Sequence, residues 1–575
     1  NIFRYFICIT MTNNIFYIRI KNRDYTDYEF FARNHENAQL DVHPVEEKLF
    51  DGDMFTLDEN HEVTINQSAI RNEKCIPGVL VLQQNKTYGR TNNNKKRLLY
   101  QCIPHDTRLP PFVVPYEVTL EFSKCLSNKY VLFTFQQWTQ KHPEGRLVET
   151  IGDVTDMNAL CEYELHSHRL QHSMKPIMNH MKTKRLTHDE FIDQIVHDKK
   201  YLLQHKTEQY VFSIDPAGSL DFDDAFAVQA HDDGSTTVTV HIANVAVWLE
   251  HLQLWGYLTD RVSTVYFPHC KKPMLPAILS EQLCSLRQKQ TNITMFIEFS
   301  VSNKGVVDME NVKFGNSLVK VCKNFEYEEQ KLMKNTHYQN LFETSTRIDA
   351  SIHDSHDVVS YWMIQVNTYL AQKLHSHDIG ILRTSSLKYN DRLSFDFDKH
   401  TCDSIFHYKN ASTNYVAAHN TENQKHAIMN KDVYTHITSP IRRSVDLINQ
   451  LILLYRFQHL MGISVMAQKY LVDWVGKLDM INEDSKKTKQ VQNRIRLLDT
   501  CSKDESLVDA ELKSVVVDKK NIDSLYQYTL YIPELQVFLP ANSDKELDEY
   551  TICYSKLFIF EDENHIRNKI KIQII

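Results

Sequence analysis

The sequence predicts a multidomain α+β protein in which small β-barrels flank a central mixed α/β unit, and three changes of pattern along its 575 residues carry that prediction. From about residue 14 to 150, short β-type runs at 16–20, 79–82, 98–103 and 130–135 alternate with polar turns, as in one or two small barrels. Residues 185–505 mix periods of 2 and 3.6, so sheet and helices share one unit. From about 508 onwards, strand-like runs return at 514–517, 528–532 and 557–560, and a third small barrel is the simplest reading.

Length and composition bound what these units can be. At 42% hydrophobic, the chain can bury at least one large core and make about three or four domains. A net charge of −8 and a pI near 6.4 do not advertise a nucleic-acid binder, so a polyanion would need a local basic surface. Lys86, Arg90, Lys95, Lys96 and Arg97 gather around Tyr88 in the second barrel region, the display expected of a barrel that binds single strands. Eleven cysteines without Cys-x-x-Cys spacing give neither a zinc knuckle nor a redox pair, and the odd count argues against a disulfide framework. A reducing compartment follows.

The apolar run from Ile2 is broken by Arg4 and ends at Thr10, too short for a membrane span or a signal peptide. The first methionine is Met11, so residues 1–10 read as upstream translation or the cut end of a longer chain. The expectation is a soluble intracellular protein with no membrane partner, cytoplasmic or else nuclear.

The most informative stretch lies in the central unit. Asp215, Asp221, Asp223 and Asp224 place four carboxylates within ten residues, just after a short apolar strand. Crowded carboxylates raise one another's pKa, and a site that keeps several ionised usually holds divalent cations. Oxygen-only ligands favour magnesium or manganese over zinc. An EF-hand begun at Asp221 would need an oxygen ligand, a glycine and a glutamate where Ala225, Phe226 and Asp232 stand, so that reading fails. The cluster enters a hairpin signalled by Asp233-Gly234, and Val238, Val240 and Ile242 alternate as a half-buried strand would. Helices are expected at 357–375, 445–459 and 465–482. The second has Val445, Ile448 and Ile452 with Leu447, Leu451 and Leu454, which leaves little polar face and implies burial.

Three further segments extend the chemistry beyond metal binding. Tyr266-Phe267-Pro268 precedes the apolar stretches Pro273-Met274-Leu275-Pro276 and Leu283-Cys284-Ser285-Leu286. Residues 434–443 bring hydroxyls, His436, Arg442 and Arg443 to the start of the buried helix, and a guanidinium fork beside carboxylates suits a phosphate in flight. Arg383 lies in a third segment, followed by Thr384, Ser385 and Ser386.

Together, residues 215–224, His241-Ile242-Ala243, Tyr266-Phe267-Pro268, the two apolar stretches and residues 434–443 resemble, in order and spacing, the ribonuclease II/RNase R (RNB) family. Residues 138–145 leading to Ile151-Gly152-Asp153 look more like its eukaryotic branch, similar to the catalytic exonuclease of the exosome, with no room expected for that subunit's endonuclease domain. The resemblance implies two cold-shock-like OB barrels at 1–70 and 71–184, an RNB catalytic domain at 185–505 and an S1-like barrel at 506–575. It also implies a processive 3′ to 5′ exoribonuclease that hydrolyses single-stranded RNA to nucleoside 5′-monophosphates with two Mg²⁺, or Mn²⁺, ions. Metal binding would fall to Asp215, Asp221, Asp223 and Asp224, with Asp223 the least dispensable. Arg442 would stabilise the phosphate in the transition state, and Tyr266 would stack on the 3′-terminal bases. Arg383 and Arg443, with Lys95, Lys96 and Arg97, would contact RNA, and exosome-like or helicase partners are expected. Four positions depart from the family pattern: Asn244 replaces an aspartate, Ser360 and Tyr361 replace paired glutamates, and Ser444 replaces a tyrosine. A second reading is therefore a catalytically impaired relative that binds RNA or partners; a third is a metal phosphohydrolase with a different substrate, DNA among the candidates.

Overall fold

In the computed structural model, the 20-residue strand Val307–Glu326 organises the centre of the chain. The structure describes residues 15–575 apart from 59, 84, 92–95, 119–125, 185–186, 388–396, 411–412, 421–423, 523–524 and 562–567. Two compact units divide it: residues up to 171 together with 493–575, and residues 172–492.

In the 172–492 unit, most of the long strand runs antiparallel to Thr291–Val301, while its last residues run parallel to Val211–Asp215. Asp224–Ala230 and Thr236–Ala243 lie between those partners, so the sheet comes round on itself, and Gln204–His205 adds a short outer strand. This closure corrects one expectation. Thr236–Ala243 is not half-buried: Thr239 and His241 are as enclosed as Val238 and Ile242, because both faces of the sheet are covered. The hairpin forms where Asp233-Gly234 places it, with the Gly234 N–H donating to the carbonyl of His231 and Gly234 at φ +79°.

Helices Ser355–His375 and Ser444–Arg456 occupy the positions that periodicity assigned. The expected 465–482 helix is instead two, Val465–Val475 and Leu478–Lys503, because Gly476 caps the first. Ser444–Arg456 is enclosed from Ser444 through Leu454, and its buried polar side chains tie other segments down. Asn449 donates to the carbonyl of Ile381 and to Thr435 Oγ1, while Gln450 accepts from the Ala246 N–H and donates to the carbonyl of Ala243. Such satisfied buried amides fix loops more sharply than apolar contact can.

The other unit holds three β-structures. Ile15–Ile20 sits at the centre of a five-stranded sheet with Tyr28–Ala32, Asn37–Ala38, Met54–Leu57 and Val63–Gln67. Ile76–Leu80, Leu99–Pro104, Phe112–Pro115, Lys129–Gln137 and Glu144–Asp153 form a closed barrel. Phe50 stacks on Phe112 at 5.8 Å and lies 4.9 Å from Trp138, so the first sheet and the barrel share one hydrophobic core. The third is a five-stranded sheet running from Glu511–Ile522 to Asn568–Ile574. No described helix is long and apolar enough to cross a membrane.

Candidate active site

The carboxylate loop is built by the sheet on either side of it. Asp215 ends the Val211–Asp215 strand, Asp224 begins the next, and Gly218 at φ +75° lets the loop between them turn. Three backbone ties hold this loop: the carbonyl of Asp223 accepts from the Ala243 N–H at 2.8 Å, the Phe222 N–H donates to Ser285 Oγ at 3.0 Å, and the Leu286 N–H donates to the carbonyl of Phe222 at 3.0 Å. Ser285 Oγ in turn donates to the carbonyl of Leu220 at 2.9 Å. The Leu283–Leu286 stretch therefore buttresses the carboxylates rather than facing a ligand.

All four aspartates line a cavity of about 850 Å³, which Tyr266, Arg442 and Arg443 also reach. Asp223 is the innermost. Its Oδ1 accepts from the Ile441 N–H and its Oδ2 from Arg442 Nε, each at 2.9 Å. Arg442 also donates from Nη2 to Ser439 Oγ at 3.0 Å, and 43% of its side chain stays exposed to the cavity. Burial opposes its charge, but Asp223, Tyr266 and Asp224 outweigh that and hold Arg442 firmly protonated. Burial, more than any neighbour, pushes the carboxyls of Asp215, Asp223 and Asp224 up to about 7, with carboxylate crowding adding to it and Arg442 opposing it. Asp215 Oδ2 is buried with no hydrogen-bond partner.

At the rim, Tyr266 lies 41% exposed on a two-stranded hairpin, with its hydroxyl 3.5 Å from Asp221 Oδ2. Lys271, opposite Tyr266 in that hairpin, donates to Asp221 Oδ1 at 3.0 Å. Sequence reasoning missed Lys271, because a lone pair of lysines before a proline reads as ordinary surface. It placed His436 in the 434–443 segment but gave it no role of its own. Arg383 does not line the cavity: its Nη1 donates to Nε2 of His436, whose Nδ1 bonds the Tyr415 hydroxyl at 2.7 Å. With Nε2 accepting, Nδ1 carries the proton, and burial with Arg443 and Arg383 nearby keeps the ring neutral. Arg383 thus positions His436, which does line the cavity. Arg443 is anchored by Asp446 Oδ1 at 2.8 Å.

The basic loop belongs to the other unit. Arg97 pairs with Glu117 at 3.4 Å, Lys96 is exposed, and Lys95 lies outside the described residues. Of the four departures, only Ser360 lines the cavity. Tyr361 packs on Trp362, and the Ser444 hydroxyl is buried without a partner. Asn244 is fully enclosed, accepting from the Val247 N–H at 3.1 Å as a helix cap and donating to Asn316 Oδ1 at 2.8 Å. It is a structural amide, not a lost ligand of this cavity.

The donor set, oxygen-only, crowded and with an orphaned carboxylate oxygen, fits a hard divalent cation. Among the described residues, however, no three acidic, histidine or cysteine side chains converge closely enough to hold one. Asp221 and Asp223 are engaged by Lys271 and Arg442 instead.

Comparison with known proteins gives this cavity a context. The RNB domain family matches residues 204–347 and 334–457, and the Dis3-like cold-shock domain 2 family matches 99–168. Ribonuclease R of Chlamydia pneumoniae is 24% identical over 390 residues, covering 55% of this chain and 57% of that protein. The chain thus spans little more than half the length of that curated relative. Among solved structures, Mycoplasma genitalium RNase R superposes with a TM-score of 0.69 in its apo form and 0.68 in complex with ribose-methylated single-stranded RNA. Identities are 16% and 15%, over 98% of this chain and 100% of that one. Yeast Ssd1, described as a pseudonuclease, superposes with a TM-score of 0.58 at 13% identity, over 98% of this chain and 86% of that one. With an OB-type barrel matched at 99–168 ahead of it, residues 204–457 of this multidomain α+β chain carry an RNB domain that contains the whole carboxylate loop and Arg442, similar to that of the RNase R proteins.

Proposed function

We propose that this chain hydrolyses single-stranded RNA from its 3′ end, releasing nucleoside 5′-monophosphates, with magnesium or manganese bound at Asp215, Asp221, Asp223 and Asp224. The observation that carries the reading is the Asp223–Arg442 pair at the inner wall of a cavity that Asp215, Asp221 and Asp224 also line. Bound divalent cations would supply an activated water and a stabilised leaving 3′ oxygen for an in-line displacement. Arg442 is fixed through Nε and Nη2, so the rest of its fork is preorganised to meet charge developing on phosphorus. Tyr266 offers an exposed ring on which the terminal base can stack. His436, neutral and oriented by Arg383 and Tyr415, shapes the wall beside Arg442.

Processive action would need RNA held beyond the cavity. We assign that role to the flanking barrels, Lys95, Lys96 and Arg97 included, and to Arg443 at the cavity, with domain limits near residues 70, 184 and 505. The free cysteines of the described chain suit a reducing intracellular setting, cytoplasmic or nuclear, where helicase or exosome-like partners could feed the enzyme.

The second reading, an RNA-binding relative with impaired catalysis, draws on the likeness to Ssd1 and on the engagement of Asp221 and Asp223 by side-chain cations. Against it stands energetics: three buried carboxylates held near neutrality are costly, and a site with no catalytic use has no physical reason to keep them. Incubating a 5′-labelled RNA and its DNA counterpart with Mg²⁺ or EDTA tests the proposal. Metal-dependent shortening of the RNA supports it; an intact RNA under all conditions rejects it in favour of the second reading.

A further inference from the structure

We propose that Lys271 is a tethered cation that occupies Asp221 while the cavity holds no metal and transfers to Glu281 when a divalent ion arrives. The proposal rests on the metal-binding reading of the four aspartates.

The geometry is that of an exchange. Lys271 Nζ stands 3.0 Å from Asp221 Oδ1 and 2.9 Å from Glu281 Oε1 at once. Asp221 and Lys271 line the cavity, whereas Glu281 does not, so one partner of the lysine is a candidate ligand and the other lies outside. Both carboxylates are mostly enclosed, Asp221 at 12% and Glu281 at 24% exposure, so neither is fully solvated when unpaired. A cation binding at Asp221 must displace the ammonium. Without Glu281 the displaced charge would be left half-desolvated, at a cost comparable to breaking a buried pair. With Glu281 already in contact, Lys271 loses one partner and keeps the other.

The hairpin fixes where the ammonium can go. Tyr266 and Lys271 are register partners across Val265–Tyr266 and Lys271–Lys272, and Phe267 closes the turn by donating from its N–H to the carbonyl of Cys270 at 2.8 Å. The backbone of Lys271 is therefore held in the hairpin, with its Nζ between Asp221 and Glu281. The Tyr266 hydroxyl, 3.5 Å from Asp221 Oδ2, lies on the other side of the same carboxylate. Release of Asp221 by the lysine would thus alter the seat of the rim aromatic as well, coupling metal loading to the surface on which a base would stack.

The test is direct binding of Mn²⁺ to the full chain without RNA, read from the electron paramagnetic resonance signal of the free ion. Wild type, Lys271→Met and Glu281→Gln are compared. Lys271→Met removes the competitor and should tighten Mn²⁺ binding roughly fivefold, the scale of a partly exposed ion pair. Glu281→Gln removes the lysine's second carboxylate and should weaken binding about threefold. Lys271→Gln should reproduce the tightening, and melting in EDTA checks that each variant folds. Equal non-zero affinities in all of them, or weaker binding by Lys271→Met, overturn the exchange role alone. Absence of Mn²⁺ binding in every protein overturns the exchange together with the metal reading beneath it.

Discussion

Arg442 Nε lies 2.9 Å from Asp223 Oδ2, and that carboxylate is only 2% exposed. The pair closes the inner wall of the cavity, and the Ile441 N–H holds the other oxygen of the same aspartate. In the proposed reaction Arg442 has two duties, as countercharge to a buried acid and as the fork that would face the reacting phosphate.

Those duties separate in Arg442→Lys. An ammonium can pair with Asp223, but it cannot also hold Ser439 and present a planar fork. Single-turnover cleavage of RNA should slow by about 10²- to 10³-fold while RNA affinity changes little. A slowing of less than about tenfold would remove Arg442 from the chemistry.

Stability should fall with rising pH when metal is withheld. Asp215, Asp223 and Asp224 have native values near 7, above their unfolded values of about 4. The native state thus binds more protons than the unfolded state in that window, and stability is lost as pH rises through it. In EDTA the melting temperature should be at least about 2–4 °C higher at pH 5 than at pH 8, and Asp215→Asn should flatten the difference. Mg²⁺ at pH 8 should restore part of what is lost.

If the exposed ring is the proposed stacking surface, Tyr266→Ala should weaken binding of a short single-stranded RNA by about 1–3 kcal/mol. Tyr266→Phe keeps the ring and loses only the long contact to Asp221, so it should bind nearly as well as wild type. Fluorescence anisotropy in EDTA separates the two without cleavage.

Asn244→Asp, which restores the residue of the family pattern, should damage the protein rather than improve it. Asn316 donates to the carbonyls of Tyr201 and His459, so its amide cannot flip to face a carboxylate with its nitrogen. A buried charge would meet the Asn316 carbonyl oxygen, and the cost should be about 2–4 kcal/mol in urea unfolding with no gain in activity.

What the sequence made legible follows from local chemistry. Four aspartates around a proline and a glycine, an Asp-Gly turn and a helix with apolar residues on nearly every side are short-range signals, and each stands where its pattern placed it. Thr236–Ala243 was misread as half-buried because its second face is covered only when the distant Val307–Glu326 strand closes the sheet. Asn244 read only as a departure from the family pattern because its partners, Asn316 and Val247, are set by tertiary structure and cap geometry. Lys271 was silent for the same reason. Nothing local distinguishes it from Lys272, and only the hairpin brings it to Asp221.

The most direct test pairs cleavage with binding in Asp223→Asn. With Mg²⁺, wild type should convert a 5′-labelled single-stranded RNA into a ladder shortening from the 3′ end. The variant should bind the same RNA within a fewfold of wild-type affinity and leave it whole. Equal cleavage by both proteins, or cleavage by wild type that persists in EDTA, would contradict the assignment of catalysis to this carboxylate cavity.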